Sequence, residues 1–120
     1  MDEKPILCLD FDGVCHSYTS GWQGVDDIPD PPVPGLGDFL REAQKHFRVY
    51  IHSSRSSNAG GVRAMGEWFE RWVGWDIAGQ LYFPTTKPPA LITIDDRAIT
   101  FTGTWPDIEE LKEFKPWNKR

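Results

Sequence analysis

An α/β fold, a three-layer Rossmann-like sandwich around a mainly parallel central sheet, is predicted by three features of this sequence. Short apolar runs alternate with helical patterns along the chain, as in successive βαβ units, which place helices on both faces of a sheet. Polar and acidic clusters follow those apolar runs at their carboxyl ends, where open parallel sheets gather ligands. The 120 residues, 39% hydrophobic and 13% aromatic, suffice for a single domain with one buried core.

The first strand covers about Pro5 to Leu9 and runs into Asp10-Phe11-Asp12-Gly13-Val14. Side chains alternate along extended backbone, so Asp10 and Asp12 share a direction if that geometry continues, with Phe11 on the other side. Gly13 then lets the chain turn sharply. Residues 14–35 are rich in Ser, Gly, Asp and Pro, the composition of a long, flap-like structured loop. Leu36, Phe39, Leu40, Ala43 and Phe47 fall on one stripe of a helix. Arg48-Val49-Tyr50-Ile51 is a β-branched and aromatic strand that ends in His52-Ser53-Ser54-Arg55.

A second helix spans about Ala59 to Val73, with Val62, Met65, Phe69 and Trp72 on one face and Ser57 or Asn58 as its cap. Gly60, Gly61 and Gly66 weaken it. Gln80–Phe83 reads as a third strand, 84–89 as a loop, and Ala90–Ile94 as a fourth strand delivering Asp95-Asp96-Arg97. Ile99–Phe101 forms a fifth, shorter strand. Trp105-Pro106-Asp107 opens a last helix through about Phe114, with proline tolerated in its first turn.

A net charge of −5 argues against broad nucleic-acid binding through counterion release. Only Lys115–Arg120 is locally basic, and it reads as a solvated C-terminal end. Cys8 in an apolar strand and Cys15 just past the turn suggest a reducing compartment rather than a disulfide framework. No apolar stretch approaches a membrane span and no leader pattern follows Met1, so a cytoplasmic protein is expected.

Two carboxylates held as close as Asp10 and Asp12 are unfavourable unless a cation, a shared proton or a substrate divides their roles. Taken alone, the pair also fits a strand that ends in turn-forming Asp residues. Ser53, Lys87 in the loop after the third strand, and Asp95-Asp96 converge with that pair at the carboxyl edge of the sheet.

Asp10-Phe-Asp12-Gly13-Val14, Ser53, Lys87 and Asp95-Asp96, in this order, resemble the four motifs of the haloacid dehalogenase-like (HAD-like) hydrolases. The resemblance spans residue 6 to about residue 103 and points to a small, uncapped, phosphatase-type member. It implies a Mg²⁺-dependent phosphomonoester hydrolase in which Asp10 attacks phosphorus to give an aspartyl phosphate. Asp12 would protonate the leaving oxygen and then take a proton from water. Asp10, the main-chain carbonyl of Asp12, and Asp95 or Asp96 would hold the metal, a hard ion suited to oxygen ligands. Lys87 would neutralise the nucleophile and the transferring group. At about 4 Å and an effective dielectric near 20, such a charge pair is worth roughly 4 kcal/mol before desolvation. Ser53 or Ser54 would hydrogen-bond a phosphoryl oxygen, with Gly13 and Arg55 also facing substrate.

Neither the stretch between Asp12 and Ser53 nor that between Ser53 and Lys87 has room for a cap domain. The resemblance associates an open site with bulky or macromolecular phosphoesters or with closure by another subunit, and the expected partner is a phosphorylated small molecule or an exposed terminal phosphate. In the loop, Tyr18 and Trp22 could stack on a base or sugar or simply pack, and Asp26, Asp27 and Asp30 would repel extra phosphates. His16 and His52 read as structural or peripheral. Two rivals share these residue types: a silent HAD-like interaction module, and a receiver domain of phosphorelay signalling. The receiver carries its Lys after its acidic pair, whereas Lys87 precedes Asp95-Asp96 here.

Overall fold

The computed structural model describes residues 3–119; Met1, Asp2 and Arg120, at the ends of the N-terminal and basic C-terminal segments, lie outside the described residues. Strands β1 (Ile6–Leu9), β2 (Arg48–Ile51) and β3 (Ile92–Ile94) form an open, all-parallel sheet in the order β2-β1-β3. Leu7 lies opposite Val49 and Ile92, and Leu9 opposite Ile51 and Ile94. The central place of β1 puts Asp10 between the carboxyl ends of its two neighbours. Asp10 N donates to the Ile94 carbonyl (2.9 Å), and His52 N to the Leu9 carbonyl (3.1 Å), so the three strand ends are tied together.

Helices α1 (Leu36–Ala43), α2 (Ala59–Val73) and α3 (Trp75–Ala78) pack against this sheet, and a 3₁₀ turn at Ser54–Ser57 joins β2 to α2. Leu7, Leu9, Val49 and Ile51, which alternate onto one face, share a core with Leu40, Met65, Phe69 and Ile77. Burying each such side chain is worth roughly 1.5–3 kcal/mol. Phe11 continues that face past the end of β1: it is fully buried, edge-on to Trp68 with ring centroids 5.0 Å apart. The buried residues of α1, α2 and α3 join this one core, and Cys8, on the other face of β1, stands outside it. The expected second helical layer is not formed by the described residues: α4 (Ile108–Lys112) buries no side chain.

Several boundaries shift for identifiable reasons. Helix α1 stops at Ala43, although Phe47 still packs against the core after a turn. The expected third strand reduces to a single bridge, in which Tyr82 pairs with β2 by donating to Val49 O and accepting from Ile51 N. Ile99–Phe101 finds no strand neighbour among the described residues and stays irregular and exposed. Beside Phe69, the buried aromatic of α2 is Trp68, 3% exposed, rather than Trp72, 46% exposed. Asn58 caps that helix through Gly61 N (3.1 Å), and Gly61 has a packing reason: a Cβ there would sit 2.5 Å from the Arg55 carbonyl. The basic tail is not simply a solvated end, because Trp117 Nε1 donates to the Gly13 carbonyl at 2.7 Å. No helix among the described residues is long and apolar enough to cross a membrane.

Candidate active site

Extended backbone ends at Leu9, and the turn that follows sends the two motif carboxylates into different surroundings. Asp10 stays beside the end of β3. One carboxylate oxygen from each of Asp10, Asp95 and Asp96 lies within 4.8 Å of the others. Burial, a hydrogen bond shared with Asp96 and the charge of Asp95 push the Asp10 carboxyl up to about 8. Asp96 Oδ1 is buried without a hydrogen-bond partner among the described residues. Three carboxylates gathered with one orphaned oxygen among them offer hard oxygen donors that fit a cation such as Mg²⁺.

That crowding has a measurable consequence in metal-free protein. The raised Asp10 carboxyl binds its proton more tightly in the folded chain than in the unfolded one, whose value stays near 3.8. Its contribution to stability is therefore complete at acid pH and lost as pH rises through about 8. Thermal melts in EDTA between about pH 5 and about pH 9 will show stability falling over this range, and Asp10→Asn will flatten that fall.

Asp12 turns the other way, into a donor-rich pocket. Arg55 Nε donates to its Oδ2 at 3.0 Å and Arg55 Nη2 to its Oδ1 at 3.2 Å. His16 Nδ1 lies 2.8 Å from Oδ1. The Asp30 amide donates to His16 Nε2 at 3.1 Å, so Nε2 accepts and the ring proton sits on Nδ1, donating to Asp12. Burial alone would raise the Asp12 pKa, but these hydrogen bonds and the Arg55 charge outweigh it and hold the carboxyl below its ordinary value.

The remaining predicted residues divide between the surface and the interior. Gly13 takes a positive φ of 87° and lies directly against the Asp96 carboxylate. The Ser53 hydroxyl is turned inward, accepting from Arg55 N (3.0 Å) as the cap of the 3₁₀ turn and lying 3.7 Å from Met65 Sδ. Ser54 is exposed. Lys87 is exposed in the loop before β3, and its charge reaches Cys8, two residues before Asp10; burial raises the Cys8 thiol and Lys87 partly offsets that. Arg55, expected to face substrate, is instead wholly buried.

Sequence reasoning missed the roles of two residues that organise this region. Arg55 pairs with Asp12 across 43 positions, and no local pattern signals a contact of that span. Asp30, read as a charge that would repel extra phosphates, is buried; it accepts from Ser20 N and Ser20 Oγ, and its carbonyl accepts from Trp68 Nε1 at 2.9 Å. Its only sequence signal is its place between Pro29 and Pro31, which restricts the backbone. Trp22, offered as a stacking ring, lies over the Arg55 guanidinium at 4.5 Å, and Tyr18 holds a positive φ of 62° with its ring in a T-shaped contact with His16. No protein-family model, curated protein or solved structure matches the chain.

Proposed function

We propose that this chain is a Mg²⁺-dependent phosphomonoester hydrolase of HAD-like type that works through a phosphorylated Asp10. The observation that carries this reading is the meeting of Asp10, Asp95 and Asp96, from the ends of two adjacent strands, with a buried Asp96 oxygen that has no hydrogen-bond partner among the described residues. The order of the motifs along the chain supports it further. Mg²⁺ held by these carboxylates would screen the phosphate dianion from the attacking acid and draw Asp10 into its ionised form.

In the first half of the reaction an Asp10 oxygen forms a bond to phosphorus and the bond from phosphorus to the leaving oxygen breaks. Lys87 balances the charge of the transferring group. Ser54 is the hydroxyl assigned to a phosphoryl oxygen, since the Ser53 oxygen already caps its own turn. In the second half, water attacks phosphorus, Asp12 takes the water proton, and Asp10 is released. The three hydrogen bonds that Asp12 accepts favour its ionised form, which suits this second half. An alkyl leaving group asks Asp12 for a proton first, so phosphate esters with stable leaving anions will turn over faster than alkyl esters. Substrates are a phosphorylated small molecule or an exposed terminal phosphate.

Hydrolysis of p-nitrophenyl phosphate, with Mg²⁺ and after chelation, tests the reading. Turnover present with the metal and lost in EDTA is expected. Equal rates in EDTA would remove the metal from the reading, and no hydrolysis across a broad panel of phosphate esters would replace the enzyme by a silent interaction module.

A further inference from the structure

Arg55 is a fully buried cation whose donors are nearly all spent inside the molecule. Two of its N–H groups hold the two oxygens of Asp12 in a fork. Its Nη1 donates to the carbonyls of Gly24 (2.7 Å) and Val25 (2.8 Å), in the flap-like loop. Trp22, from the same loop, covers one face of the guanidinium, and Arg55's own backbone N–H is bound by the Ser53 hydroxyl. One side chain thus joins the loop, the turn after β2 and the second motif acid. A planar fork fixes the rotation of a carboxylate as well as its position, which an ammonium on a flexible stem does not.

We propose that Arg55 is the positioning residue for Asp12, holding its carboxylate at the angle needed to take a proton from the attacking water and tying that angle to the flap-like loop. This inference rests on the proposed hydrolase reading. Arg55 touches no substrate and acts through Asp12 alone, so its loss falls on release of phosphate from Asp10. Transfer of the phosphoryl group to Asp10 proceeds without it when the leaving group departs as a stable anion.

The experiment follows p-nitrophenolate release through the first turnover and the steady state, in wild type, Arg55→Lys, Asp12→Asn and the double variant, all with Mg²⁺. Arg55→Lys is expected to lower steady-state turnover ~100-fold, the scale of misplacing a reacting group by about 1 Å. Its first-turnover release stays within a few-fold of wild type, so a burst appears. In the Asp12→Asn background the same substitution costs nothing further. Equal losses in both phases, a further loss in the double variant, or no loss at all would overturn the assignment. Should Arg55→Lys fail to fold, Trp22→Ala, which uncovers the guanidinium from half-exposed ground, is judged by the same criteria. Wild type that shows neither phase, or Asp10→Asn that retains both, refutes the hydrolase reading itself rather than the role of Arg55.

Discussion

Asp10→Asn will leave a folded protein with turnover reduced by at least about 10³-fold, the scale on which loss of a covalent nucleophile is felt. The amide oxygen cannot carry the phosphoryl group as a carboxylate does. The fold survives because Asp10 is a burden to the metal-free structure: its carboxyl is crowded by Asp95 and Asp96 and pushed up to about 8. An amide keeps the size and can still hydrogen-bond Asp96 while removing one charge from the cluster. Two measurements therefore move in opposite directions. Phosphate-ester hydrolysis disappears, while the melting temperature in EDTA near pH 9 rises above that of wild type. Near-normal hydrolysis would remove Asp10 from its role, and a fall in that melting temperature would contradict the crowding of the acids.

Gly13→Ala will disable the same site from the backbone side. Gly13 has φ 87°, a region that costs a residue with a Cβ about 1–2 kcal/mol. The larger effect is steric. A Cβ there would lie 2.8 Å from Asp96 Cγ and closer still to one of its oxygens, so the carboxylate must shift from its place in the acidic cluster. Mg²⁺ affinity, read by calorimetry or by metal titration of turnover, is expected to fall at least about 10-fold. Gly21→Ala separates the two causes, because Gly21 also has a positive φ (72°) but open space where its Cβ would stand. That control loses a comparable amount of stability and keeps wild-type metal affinity. Equal affinities for the Gly13 and Gly21 variants would show that close packing on Asp96 has no part in the site.

The elements that were legible are those whose own residues settle their structure. β2 falls at Arg48–Ile51 and α2 at Ala59–Val73, as the β-branched run and a cap at Ser57 or Asn58 predict, the cap being Asn58. The rest depended on neighbours. Ile99–Phe101 has strand-forming residues but no partner backbone among the described residues, and Tyr82 alone of its segment reaches β2. Helical periodicity grouped Trp72 with Val62, Met65 and Phe69, yet it is Trp68 that the helix turns inward. That was decided by Phe11 and Phe69, whose rings both pack edge-on to Trp68 at 5.0 Å.

By itself the sequence determined which acids and hydroxyls follow the three strands that form, and in what order, because where a strand forms and stops is largely a matter of adjacent residues. Only the tertiary structure decided what each acid became. Asp10 and Asp12 differ by two positions, yet one is pressed against Asp96 and the other is gripped by Arg55 and His16. Charge and hydrogen bonding act over a few ångströms of space, and the partners that set them come from strand ends and turns far apart along the chain.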